Sequence, residues 1–200
     1  MRTWLVSAVL ASVFLGGCAS GDASDEQLGE SPTVPPASSA AADPSSTPTP
    51  TTAPDPGVAA ATGPELELSE ATLRIPEGWK PDPTNTADIL VATSQDPVKY
   101  ESFGVVSLPG GGQPVDAQAA QLIDFNKGRI RYKRMPDTYL GGSPAYLLTG
   151  PDQEVRGLWH VAIGGPYGER NYTLSFTLDY KSQAQRAAVV DSVLASWRWK

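Results

Sequence analysis

Residues 65–200 predict an α+β domain built on an antiparallel sheet, and three observations lead there. Tyr172, Leu174, Phe176, Leu178 and Tyr180 alternate with Thr173, Ser175, Thr177 and Asp179. That period of two belongs to a strand with one buried and one polar face, the usual state of an antiparallel sheet. Glycine and proline clusters at 109–112, 141–144 and 164–168 cut the chain into strand-length apolar runs. Two longer segments, 114–127 and 182–195, instead repeat apolar side chains at helical spacing.

The elements follow in order. Residues 73–75 read as a short strand stopped by Pro76 and the turn at Glu77 and Gly78; 89–93 and 102–108 read as two more. The first helix, 114–127, has Ala119, Leu122, Ile123 and Asn126 on one side, and Gln118, Gln121 and Asp124 elsewhere. Residues 129–135 and 145–149 read as paired strands around 140–144, and 158–163 with 172–180 as a hairpin across 164–168. The closing helix has Ser182 as its N-cap and a stripe of Ala187, Val190, Val193, Leu194 and Trp197.

The first 64 residues have a different character. Arg2, an apolar run over 4–15 and the small residues Gly16 and Gly17 make a secretory signal, too short to span a bilayer comfortably. Leu15, Gly16, Gly17 and Cys18 resemble the lipobox of bacterial lipoproteins, which implies cleavage between Gly17 and Cys18 and diacylation of the thiol. Cys18 is the chain's single cysteine, so it has no intramolecular disulfide partner. Two acyl chains suffice for lasting membrane attachment, where one does not.

Residues 19–64 hold no aromatic and no basic side chain and are mostly Pro, Ser, Thr and Ala. Such a stretch buries too little surface to offset its conformational entropy and is expected to be a disordered stalk. Its acids Asp22, Asp25, Glu26, Glu30, Asp43 and Asp55 carry most of the chain's net charge of −7. The division is therefore signal 1–17, lipidated cysteine and stalk 18–64, and globular domain 65–200. A nearly neutral domain gives no case for nucleic-acid binding.

Four stretches occur in sequence: "RIPEGW" at 74–79, "LGGSPAYLL" at 140–148, "YTLSFT" at 172–177 and "SVLASWRW" at 192–199. Together they resemble the PsbP-like superfamily, and in particular its actinobacterial cell-envelope lipoprotein branch. The resemblance implies an α/β/α sandwich, a location at the extracytoplasmic face of the cell membrane and a non-enzymatic role in accessory, assembly or interaction functions. It carries over no catalytic residue, and no photosystem role is implied.

His160 is the single histidine. No Gly-x-Ser-x-Gly elbow marks a nucleophile, and Ser143 is followed by Pro144, which has no N–H to offer an oxyanion. One histidine and one acylated cysteine leave no zinc or copper ligand set, and no carboxylates carry calcium-loop spacing. Gly110, Gly111 and Gly112 lack the lysine of a phosphate loop and read as a connection. Asn171 opens a glycosylation sequon of little weight in a bacterial lipoprotein.

Lys127, Arg129, Arg131 and Lys133 would share one face of a strand, either as a site for anionic ligands or as the charged edge that keeps sheets from pairing with strangers. No cofactor or metal is expected. The expected partners are the membrane, through the lipid, and an envelope protein, lipid or glycolipid. Three functions follow: a non-catalytic binding module displayed on a stalk; a carrier or chaperone for an envelope lipid or glycolipid held between sheet and helix; and a hydrolase using His160.

Overall fold

The computed structural model describes residues 57–179 and 182–200. The signal, Cys18, the stalk to residue 56 and the end of the alternating strand at Tyr180 lie outside them. The described chain runs β1 (Glu65–Glu67), β2 (Ala71–Arg74), β3 (Trp79–Pro81), β4 (Ile89–Ser94), β5 (Ser102–Pro109), α1 (Val115–Asn126) and β6 (Lys133–Leu140). It continues through β7 (Ser143–Pro151), β8 (Trp159–Tyr167), β9 (Arg170–Leu178), α2 (Gln183–Ser196) and β10 (Arg198–Trp199).

The alternation that identifies β9 places it at the centre. Tyr172, Leu174, Phe176 and Leu178 are all buried, and β9 pairs antiparallel with β5 on one side and β8 on the other. The main sheet has seven strands in the order β3-β4-β5-β9-β8-β7-β6, every neighbouring pair antiparallel. β1, β2 and β10 form a separate three-stranded sheet.

Because successive side chains on a strand point to opposite faces, the main sheet serves two cores. Leu90, Phe103, Val105, Val161, Ile163, Leu174 and Phe176 pack with Val190, Val193 and Leu194 of α2 and with Leu66 and Leu73 of the small sheet. On the other face Tyr146, Leu148 and Ala162 pack with Ala119, Leu122 and Ile123 of α1. The result is an α+β domain with its sheet between helices.

The helices follow their local signals. Ser182 caps α2, its hydroxyl accepting the Gln185 N–H at 3.2 Å. Val190, Val193, Leu194 and Trp197 of the expected stripe are buried, while Ala187 stays exposed. α1 follows Pro114, whose missing N–H costs nothing at a helix start. Gln118 was expected away from the buried side, yet it is buried. Its amide donates to Gln113 O at 2.9 Å and to Asn171 Oδ1 at 3.0 Å, which satisfies the group.

Residues just before β1 also pack on the domain. Ala61 is buried and donates its N–H to Ser192 O at 2.9 Å, and Gly63 donates to Ile75 O at 3.0 Å. The turn expected over 164–168 is shorter than its composition suggests, because β8 runs on to Tyr167. Gly164 and Gly165 serve close packing there. A Cβ on Gly164 would lie 2.5 Å from the Tyr146 hydroxyl, and one on Gly165 would lie 2.5 Å from Pro144 O.

Candidate binding cleft and a buried histidine

α2 does not cover the whole of its sheet face. Beside it, towards the edge strand β6, a half-open cleft of about 320 Å³ remains. Its floor is made of side chains that alternation aims at α2: Met135 from β6, Leu147 and Thr149 from β7, Trp159 and Val161 from β8. Ala187 and Val190 of α2 form the opposite wall. Trp159 is fixed from two sides. Its indole N–H donates to the Thr149 hydroxyl, and the Arg186 guanidinium lies 4.2 Å from its ring centroid.

Three charged residues border this apolar space: Lys133 from β6, and Arg186 and Asp191 from α2. Burial pushes the Asp191 carboxyl above its ordinary range. The cleft thus offers a hydrocarbon-sized trough, two cations and a partly desolvated acid. Of these residues the sequence alone points to Lys133, through its basic run, and to Ala187 and Val190, as helix-stripe members. The cleft itself arises where α2 ends its coverage of the sheet, which depends on tertiary packing.

His160 sits on the same strand as Trp159 and Val161, on the other face. It is 6% exposed. Its Nε2 lies 2.9 Å from Asp152 Oδ2, and its Nδ1 lies 3.2 Å from the Thr177 hydroxyl. A neutral imidazole satisfies both contacts, with Nε2–H donating to the carboxylate and Nδ1 accepting from Thr177. Asp152 Oδ1 accepts the N–H groups of Glu154 and Val155 at 2.8 Å each, and Arg129 Nε lies 3.7 Å from Oδ2.

Burial lowers the His160 pKa against the opposing pull of Asp152, and Arg129 adds to the lowering. Burial alone would raise Asp152. The Val155 N–H, the His160 ring and the Glu154 N–H outweigh it and hold the carboxyl below its usual value.

The acid and the hydroxyl that a hydrolytic His160 requires are both within reach. Thr177, however, lies inside β9 with Ser102 and His160 as its ladder neighbours, so its surrounding backbone is occupied by sheet pairing. Ser143 lies at the far end of β7, opposite Leu140, whereas His160 is opposite Gly150. The constellation ties together β7, β8 and β9.

The four cations expected on one strand face are distributed otherwise. The strand begins at Lys133, and Lys127 caps the C-terminus of α1. Between them the chain turns over 127–129 and then passes beside the end of β7. The Arg131 N–H donates to Pro151 O at 3.2 Å, the Gln153 N–H donates to Arg129 O at 2.8 Å, and Ile130 bridges Asp152. Arg129, Arg131 and Lys133 are exposed and Ile130 is buried, so an alternating pattern holds locally but excludes Lys127.

Lys127 pairs with Asp124 at 2.8 Å, and Arg134 pairs with Asp116 at 2.9 Å and with Asp137. Asn171 is committed as well: its amide donates to Gly110 O at 2.9 Å. The glycine connection is pinned, since Gly110 and Gly111 both donate to Glu169 O. Among the described residues, no group of three or more His, Cys, Asp or Glu side chains is placed to hold a metal ion.

This arrangement, an antiparallel sheet between helices with its central strands formed by the late β8–β9 hairpin, defines a PsbP-like fold. The solution structure of cyanobacterial PsbP from Synechocystis has a TM-score of 0.52 to this chain at 12% identity, covering 72% of this chain and 96% of that one. LpqN, involved in cell envelope biogenesis of Mycobacterium tuberculosis, gives 0.45 at 13% identity, over 68% of this chain and 90% of that one. A crystal structure from Bacteroides thetaiotaomicron gives 0.46 at 14% identity over 69% of this chain, which spans 48% of that protein's length. At 12% identity the likeness to cyanobacterial PsbP is one of fold. No family model and no curated protein sequence matches the chain.

Proposed function

We propose that this chain is a lipid-anchored cell-envelope protein whose folded domain is a non-catalytic binding module, with the α2 cleft as its binding site. The cleft carries this reading. It is an apolar space of about 320 Å³ lined by Trp159, Leu147, Val161 and Val190, roughly twice the volume of an engineered cavity that takes benzene. His160 projects from the opposite face of β8, so a ligand in the cleft does not meet the one imidazole in the chain.

The lipobox at Leu15, Gly16, Gly17 and Cys18 supports the anchor, and the acidic, proline-rich stalk supports display away from the membrane. No helix among the described residues is long and apolar enough to cross a bilayer. A carrier for an envelope lipid or glycolipid is the more specific form of the reading, and the position of the cleft between sheet and helix favours it.

The anchor is tested by growing cells with an alkyne-bearing fatty acid. Wild-type protein is expected to take up label and to sediment with membranes, and Cys18→Ser to lose both. Equal labelling of the two proteins would place the acyl group elsewhere and remove the lipobox assignment.

A further inference from the structure

The cleft is mainly apolar, with one cation on each bank and one carboxylate, Asp191, on the α2 bank. Lys133 stands on the edge strand β6, Arg186 on α2, and the hydrocarbon-lined floor of Met135, Leu147, Trp159 and Val161 lies between them. Three cations of the same basic run are neutralised locally: Lys127 by Asp124, Arg129 by Asp152, and Arg134 by Asp116 and Asp137; Arg131 is exposed but does not line the cleft. Lys133 forms no ion pair among the described residues and borders the cleft. Arg186 lies over the Trp159 ring, and a guanidinium presents five N–H donors, enough to serve a ligand and a local partner together. Asp191 is the single carboxylate in the lining, so cations outnumber it.

Resting on the reading of this cleft as the binding site, we infer that its ligand is a single-chain amphiphile with a phosphate-type anionic head. The hydrocarbon chain lies between α2 and the sheet, and the head sits between Lys133 and Arg186. The volume fixes the scale. A space about twice that of a benzene-binding cavity takes roughly ten carbons, so one short chain or the end of a longer one fills it.

Each methylene buried in such a trough tightens binding about fourfold until the space is full. The head adds charge-assisted hydrogen bonds that a neutral alcohol of equal chain length cannot make. Asp191 acts in the opposite direction to the two cations. In its ionised form it repels an anionic head, so it favours placement of the phosphate towards β6 and the first turns of α2.

The test is calorimetric titration of the full exported chain carrying Cys18→Ser, so that neither its own acyl chains nor detergent competes. The probes are decyl phosphate, decanol and inorganic phosphate at submicellar concentrations. Decyl phosphate is expected to bind at least tenfold more tightly than decanol, with inorganic phosphate giving no measurable heat. Lys133→Gln and Arg186→Gln are each expected to narrow the affinity gap between decyl phosphate and decanol.

Equal affinity for decyl phosphate and decanol would overturn the anionic-head inference and leave the cleft standing as an apolar binding site. Inorganic phosphate binding as tightly as decyl phosphate would overturn the hydrocarbon part. No binding of any probe would overturn this inference together with the reading of the cleft on which it rests.

Discussion

Replacing Trp197 with alanine is expected to destabilise the domain by about 3–5 kcal/mol, a large part of the 5–15 kcal/mol that separates folded from unfolded states in ordinary domains. Trp197 is 1% exposed and stands where α2 gives way to β10. Its ring meets Tyr172 edge-on at 6.1 Å and Trp199 at 5.1 Å, and Trp199 stacks on Tyr167 at 3.7 Å. These contacts join the small sheet, α2 and the main sheet, so their loss reaches all three. The Gly141 turn presses on the same cluster: a Cβ there would lie 2.7 Å from Trp197 Cδ1. Backbone this close resists collapse into the space an alanine leaves, and poor collapse is what makes large-to-small changes costly. Urea denaturation should show a lowered midpoint with an unchanged slope. A loss below about 1 kcal/mol would show that the aromatic cluster does not hold these elements together.

Asp152→Ala is expected to cost about as much, roughly 3–5 kcal/mol, by a different route. The Asp152 side chain is fully buried and accepts from His160, Glu154 and Val155 at once. Its removal leaves those donors without partners and Arg129 without its counter-charge. The pH dependence of the wild type carries the same signature. His160 has a folded pKa below its ordinary 6.5, so the unfolded chain takes up this proton first. Stability is therefore lost as pH falls below about 6.5 towards the lowered folded value. Asp152 is also lowered, from an ordinary 3.8, so a further loss follows below that value as its carboxylate is protonated. Unfolding free energies of wild type and His160→Gln between pH 7 and pH 5 separate the two groups. The wild type should lose stability over this window and the variant should change less. An equal slope in both would show that His160 does not titrate with unfolding.

Much of the fold was legible because its signals are local. The alternation over β9, the helical stripe of α2 and the Ser182 cap each depend on residues a few positions apart. Other features were not local. β1, β3 and β10 hold three, three and two residues, too short for any period to declare itself. The run from Lys127 to Arg134 reads as one strand by composition, yet the chain there leaves a helix, turns and then enters β6. Its course is set by the pairing of Ile130 with Asp152 and by Gly150, where an added Cβ would lie 2.1 Å from Arg131 O. Both partners are distant in sequence.

The glycines of β8 are obscure in the sequence for the same reason. Gly164 and Gly165 look like a turn, but Tyr146 and Pro144 on the neighbouring strand demand their lack of side chain. The candidate site was the least legible part. Lys133 was noticed for its charge and Val190 for its place in a stripe, and nothing in the sequence says that they border one cleft. The His160 environment was equally hidden, since Asp152 and Thr177 meet the imidazole only through strand register.

The most direct measurement is native mass spectrometry of the full chain exported from an actinobacterial host, followed by organic extraction, for wild type and for Ala187→Trp, which fills the cleft from its helix wall. A non-covalent amphiphile should accompany the wild-type protein, separate from any mass on Cys18, and be missing from the variant. A wild-type protein that carries nothing, or a ligand retained equally by Ala187→Trp, would contradict the assignment of the α2 cleft as the binding site.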